Sequence, residues 1–262
     1  LIPFCNCLHN KNQNQAEEMS FREVKFSVST YAAWAPGIES PEAWSRWAMG
    51  EATADEDHDP HISSMSPMLR RRASSSAKLA LEVAYQCLGS RVDVPIVFCS
   101  RHGEVARSLE LLDELVYGHP LSPASFSMSV HNAAGGLFSI ARADKANQIT
   151  VSTADGGVEP GILEACGLLA DGASRVMLVT YDRPLPQRYA RYRDCVEQPF
   201  GWAWLLAQAG TEHISLSWRS ADIAEAGSDM QGALGAQRFF LRGDREWIRP
   251  AERGFWHWKR HG

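Results

Sequence analysis

Apolar and polar positions along this chain follow two rhythms, and the chain switches between them repeatedly. Glu23–Ala33 (EVKFSVSTYAA) alternates with period two and predicts a strand, broken by Trp34-Ala35-Pro36-Gly37. Ser40-Pro41-Glu42 reads as an N-cap followed by proline at the first helical position, and Trp44, Trp47 and Ala48 share a face of the short helix it opens. Pro67–Leu88 is predicted as one helix, buried along Ala77, Ala80, Leu81, Ala84, Tyr85 and Leu88. Val94–Ser100 (VPIVFCS) is a continuous apolar run of the kind buried in parallel sheets. Helices over Glu104–Tyr117 and Val130–Arg142 follow, the second rich in small residues. Arg175–Thr180, Phe200–Gln208 and His213–Trp218 read as further strands. Strands alternating with helices imply an α/β fold of layered helices on a mostly parallel sheet.

The densest pattern lies between Asn147 and Asp171 (NQITVSTADGGVEPGILEACGLLAD). Ile149, Thr150, Val151, Ser152 and Thr153 suit a strand. Ala154-Asp155-Gly156-Gly157 makes a sharp turn, and Ile162–Ala170 is a helix apolar nearly all round, hence buried. Such a strand–turn–helix elbow presents one residue at a helix N-terminus, where backbone N–H groups and the helix dipole favour negative charge. That residue is expected to be Asp155, the position at which enzymes hold a nucleophile.

Three blocks are expected: a mobile extension over 1–20, a domain over 21–220, and a linker with a Trp-rich tail over 221–262. The tail carries Trp247, Phe255, Trp256 and Trp258, too much aromatic surface to leave in water. Composition excludes more than it selects. At 45% hydrophobic and 22% charged residues the chain is ordinary for a globular protein. A net charge of −5 without a sustained basic stripe argues against nucleic acid, and no apolar run reaches the length of a membrane span. The six cysteines are scattered without a CxxC pair, so reduced thiols in the cytoplasm are expected, with no secretory leader. No cofactor or metal is expected. Cys5-x-Cys7 with His9 lacks the usual zinc spacing, and the acidic stretch Glu51–Pro60 with His58 and His61 reads as a solvated loop. Arg70, Arg71 and Arg72, together with Arg188, Arg191 and Arg193, could meet an acidic partner.

Several segments, in order, resemble the N-terminal half of β-ketoacyl synthases, which have the thiolase fold. They are SPASFSMSVHNAAGG (Ser122–Gly136), ITVSTADGGVEPGILEACGLLADGASRVMLV (Ile149–Val179) and QPFGWAWLLAQ (Gln198–Gln208), within a resemblance running from about Phe26 to Trp218. The family's elbow reads T-A-C; here it reads Thr153-Ala154-Asp155. Condensation needs a thiolate that carries the acyl chain, and a carboxylate would form an anhydride far more prone to hydrolysis. The family's two catalytic histidines stand in second-half motifs that His257 and His261 do not match.

The resemblance therefore implies a non-catalytic chain-length-factor subunit, similar to the short forms of aryl polyene clusters. It implies a heterodimer with an active β-ketoacyl-ACP synthase, or a higher assembly of such pairs, in fatty-acid-like or polyketide biosynthesis. Acyl carrier protein would be met only indirectly. The elbow strand is expected near the partner, with Ile149, Val151 and Thr153 at the interface. Phe126, Met128 and His131 are the further candidates for the acyl tunnel or interface. Two alternatives stand beside this: a hydrolase using Asp155 as nucleophile with His131 as base, and a scaffolding paralogue with another partner.

Overall fold

The computed structural model describes residues 23–53, 58–153, 156–220, 230–251 and 253–262. The calls on 1–20, on Cys5, Cys7 and His9, and on Asp155 itself lie outside or almost wholly outside these residues.

Eight strands form one sheet: β1 (Val24–Trp34), β2 (Ile96–Ser100), β3 (Gln148–Ser152), β4 (Arg175–Asp182), β5 (Phe200–Gln208), β6 (His213–Ser220), β7 (Glu246–Ala251) and β8 (Gly254–His261). Their order across the sheet is β3-β2-β4-β5-β1-β6-β8-β7. The helices are α1 (Pro41–Ala48), α2 (Pro67–Arg70), α3 (Ser75–Leu88), α4 (Val105–Val116), α5 (Pro123–Ser127), α6 (Ala133–Arg142), α7 (Glu159–Ala170) and α8 (Gly232–Arg242), with a 3₁₀ turn at Gln187–Tyr192.

The sheet is mixed, which corrects the expectation of a mostly parallel one. Only β2–β3 and β2–β4 run parallel; the other neighbours are antiparallel. The reason lies in the connections. A parallel pair needs a long crossover, usually helical. Helices join β2 to β3 and β3 to β4, but from β4 to β6 there are only loops and the 3₁₀ turn. Pro67–Leu88 is likewise not one helix. It breaks after Arg70 and restarts where the Ser74 hydroxyl accepts from Ala77 N–H as an N-cap. Arg70 therefore closes a short helix, where a cation suits the dipole.

Each face of the sheet is covered. Trp44 and Trp47 of α1, Ile162, Ala165 and Leu169 of α7, and Leu234 and Phe239 of α8 pack on Val97, Leu178, Trp202, Trp204 and Trp258. On the opposite face α3 and α6 pack on Ile96, Phe98, Met177, Val179 and Leu205. A bulge between Val28 and Thr30 shifts the register of β1. It places Phe26 and Val28 in the first cluster while Ala32 and Trp34 enter the second. Beyond position 230 the chain forms α8 and the β7–β8 hairpin. β8 pairs along the whole of β6, so the sheet runs continuously across position 220.

Candidate functional site

The elbow begins where β3 leaves β2. Thr153 is buried, and its N–H still donates to Ser100 O at 3.3 Å. Gly156 then takes φ +68°, a left-handed conformation that glycine adopts without strain. A Cβ at Gly157 would collide with the Arg249 guanidinium and the Glu159 carboxylate, so any side chain there would have to displace that pair. The N-cap of α7 is Val158, whose side chain makes no capping bond, and the acid in the first turn is Glu159. Glu159 thus places a carboxylate at the helix N-terminus, while Asp155 lies outside the described residues.

Glu159 is 0% exposed and Arg249 is 5% exposed. Arg249 Nε and Nη2 donate to the two Glu159 carboxylate oxygens at 2.6 and 2.8 Å, and Trp258 Nε1 donates to Glu159 Oε1 at 3.1 Å. A buried charge is tolerable only when paired and hydrogen-bonded, and this one is both. From α8, Ala233 N–H donates to Gly156 O at 2.9 Å, and a Cβ on Gly232 would stand 3.0 Å from Gly157 Cα.

A polar network lies beside the elbow at the ends of β2 and β4. Buried Asp182 accepts from Ser100 Oγ at 2.8 Å, from Arg101 N–H at 3.0 Å and from His102 N–H at 2.9 Å. His102 Nε2 and Glu197 Oε1 are 2.8 Å apart, and Glu197 Oε2 accepts from Leu185 N–H at 2.9 Å. Arg101, whose Cδ lies 3.5 Å from where a Gly156 Cβ would be, forms a bidentate pair with Asp194 at 2.7 and 2.6 Å. That pair holds the Asp194 carboxyl below the usual carboxylate range. The thiols of Cys87, Cys166 and Cys195 are pushed up by burial, to about 12, 11 and 11. Nucleophilic thiols are shifted the other way.

The remaining sequence candidates separate into two groups. β3 is an edge strand, with Ile149 and Val151 half-buried. Ile96 N–H donates to Asn147 O and Thr153 N–H to Ser100 O, so the odd-numbered residues bond to β2. Gln148, Thr150 and Ser152 therefore turn their backbone groups to the open edge. Phe126 is 65% exposed, and Met128, buried, lines a cavity of about 340 Å³ with Val130, Ala133, Leu137 and Ile140. The His131 ring lies against Gly103, and the side chains that a Cβ at Gly156 or Gly157 would meet first are Arg101, Arg249 and Glu159.

Several of the arginines have partners, as does His58; residues 54–57 of the acidic stretch lie outside the described residues. Arg70 donates to His61 O and Ile62 O, Arg188 pairs with Asp113, Arg193 with Glu197, and Arg191 stacks over Tyr192. His58 pairs with Glu39 at 2.7 Å. No cluster of three or more His, Cys, Asp or Glu side chains suited to a metal occurs among the described residues, and no helix among them is long and apolar enough to cross a membrane. Sequence reasoning missed Glu159 and Arg249. Their signals were faint: one acid opening an apolar helix, and one arginine in the alternation of Trp247-x-Arg249.

A family model described as beta-ketoacyl synthase, N-terminal domain, matches residues 44–259. Comparison with curated protein sequences finds no match. Among solved structures, a chain of a ketosynthase in complex with its chain length factor from Xenorhabdus doucetiae superposes with a TM-score of 0.80 at 26% identity. The match covers 90% of this chain and 99% of that one. The ishigamide ketosynthase/chain length factor gives 0.59 at 13% identity, covering 75% of this chain and 67% of that one. A ketosynthase from module 6 of the bacillaene synthase of Bacillus subtilis gives 0.53 at 11%, covering 77% and 42%. The last two share the fold.

Proposed function

We propose a function on the premise that the chain belongs to the β-ketoacyl synthase N-terminal domain family: it is the non-catalytic, chain-length-factor subunit of a ketosynthase pair. It binds an active β-ketoacyl-ACP synthase as a heterodimer. It shapes the tunnel for the growing acyl or polyene chain in fatty-acid-like or polyketide, aryl-polyene-type, biosynthesis. The observation that carries this reading is the near full-length likeness to a chain of a ketosynthase–chain length factor complex.

The chemistry of the elbow supports it. Asp155 stands where the family resemblance implies a cysteine, and an aspartyl anhydride would hydrolyse where a thioester persists. Against the elbow glycines stand two guanidinium groups, each paired with a carboxylate. The open β3 edge suits the second part of the role. Its outward backbone groups, with Ile149, Val151 and Thr153 behind them, offer a partner strand pairing and apolar cover. The cavity at Met128 and the exposed ring of Phe126 supply apolar wall for an acyl chain. Carrier protein is met through the partner.

Co-expression with active β-ketoacyl synthases of the same organism tests the role. One of them co-purifies with this chain at equal stoichiometry. A stable monomer that ignores them all would refute the assignment and favour a scaffold for some other partner.

A further inference from the structure

A cavity of about 300 Å³ lies where β6 begins and β8 ends, across the sheet from the elbow strand. Val28, Ile214 and Phe240 give it an apolar wall, and His213, Arg260 and His261 give it a polar one. Arg260 is held in place. Its Nε and Nη2 donate to Asp244 O and Phe240 O at 3.4 and 3.0 Å. Its guanidinium lies over the Phe239 and Phe240 rings, 5.6 and 5.7 Å from their centroids. These bonds clasp the C-terminal end of α8, where a cation suits the dipole. They use two of the five guanidinium N–H groups, and no carboxylate forms an ion pair with Arg260 among the described residues.

The two histidines are fixed as well. They face each other across β6 and β8, stacked with centroids 4.6 Å apart and planes 11° apart. His213 Nδ1 donates to Gly210 O at 2.9 Å, and His261 Nε2 lies 2.9 Å from Ser215 Oγ. Each ring keeps its other nitrogen uncommitted. Glu212, the acid in the wall, is exposed and forms no ion pair with these three groups among the described residues. We propose that this cavity binds a small oxyanion, a carboxylate or a phosphate monoester, carried on a compact apolar group. The proposal does not rest on the role assigned above. A guanidinium fork matches carboxylate and phosphate oxygens alike, and here the ligand would supply the counter-charge that the chain does not. Protonated imidazoles add donors, and Val28, Ile214 and Phe240 take the apolar part. The donors are already in position, so little ordering is needed on binding. The volume lies at the low end for ligand pockets, which calls for a small ligand.

The test is calorimetric titration of the full-length chain with benzoate, phenyl phosphate and the neutral benzamide, in a phosphate-free buffer at about pH 6, where an ordinary imidazole is partly protonated. At least one of the two anions should bind at a single site, about tenfold or more tighter than benzamide, and the tighter of the two identifies the headgroup. Arg260→Gln should weaken that anion about tenfold or more, whereas Arg253→Gln, an exposed arginine outside the cavity, should leave it unchanged. Because Arg260 also clasps α8, circular dichroism checks the fold of its variant, and His213→Phe is measured beside it. That change keeps a ring and the clasp but removes the ring nitrogens, and should weaken the anion about threefold or more. Loss of affinity in His213→Phe supports the site even where Arg260→Gln fails to fold. The proposal is overturned if neither anion binds, if benzamide binds as tightly, or if affinity in His213→Phe and in a folded Arg260→Gln stays within twofold of the parent.

Discussion

The two sides of the β3–α7 elbow are finished in opposite ways. On one side the turn glycines pack against α8 and the β7–β8 hairpin, with a buried ion pair and a buried tryptophan at the contact. On the other, β3 ends the sheet as an open edge. Exposed apolar side chains occur on the segments that precede it, among them Leu115, Val116, Phe126, Val130 and Ile140. Soluble monomers usually shield such edges with charge, proline or a covering helix. The C-terminal residues pack against the elbow glycines, while the β3 edge stays open. The contrast teaches that, under the proposed role, the elbow contributes its shape and the edge its surface.

The contrast breaks most severely at the packed side. Arg249→Ala leaves the buried Glu159 carboxylate with no counter-charge and only the Trp258 hydrogen bond, and should cost about 3–5 kcal/mol, read as a fall in the urea midpoint. Replacing both members, Glu159→Leu with Arg249→Met, should be close to neutral on the same measurement. A single variant as stable as the parent would show that the pair does not hold this packing.

The open side answers to a different change. Thr150→Pro removes one outward N–H from β3 and leaves the bonds to β2 in place. Native mass spectrometry should show heterodimer formation with the ketosynthase weakened about tenfold or more, equal to about 1.4 kcal/mol. The isolated chain should change by about 1 kcal/mol or less. Equal losses in stability and assembly would mean that the edge is ordinary fold and not interface.

A smaller effect is expected in the cavity. Met128→Trp fills part of the 340 Å³ beside Val130 and Leu137, so the complex should release shorter acyl products, measured by chromatography of the product pool. An unchanged distribution would remove Met128 from the tunnel.

The smallest effect is a pH dependence. Burial works against charge on Asp59, yet Lys78, Ser75 and Arg183 together hold its carboxyl below the ordinary range. A depressed pKa contributes stability above the unfolded value, about 4, that is lost as the pH falls through the folded value. Asp59→Asn should therefore flatten the acid limb of the stability curve below about pH 4 relative to the parent.

How much of this the sequence disclosed depended on range. Local signals were legible. The proline and serine at the start of α1, the continuous apolar run of β2 and the glycine elbow all declared themselves through propensity and period. The family resemblance supplied the fold. What stayed hidden were partnerships between distant positions, such as Glu159 with Arg249 and His102 with Glu197. No pattern within a window of a dozen or so residues carries such a pairing. The mixed sheet was hidden for the same reason, because β1 enters between β5 and β6 only in space. The Trp-rich segment was seen to need cover, but that it is itself a helix and hairpin required the β6–β8 register.

The central claim is that this chain assists condensation without performing it. The most direct test compares two variants of the assembled complex in an acyl-condensation assay: Asp155→Ala in this chain, and alanine at the nucleophilic cysteine of the ketosynthase partner. The first should keep activity within about twofold of the parent, and the second should abolish it. Abolition by Asp155→Ala in a correctly assembled complex would contradict the account.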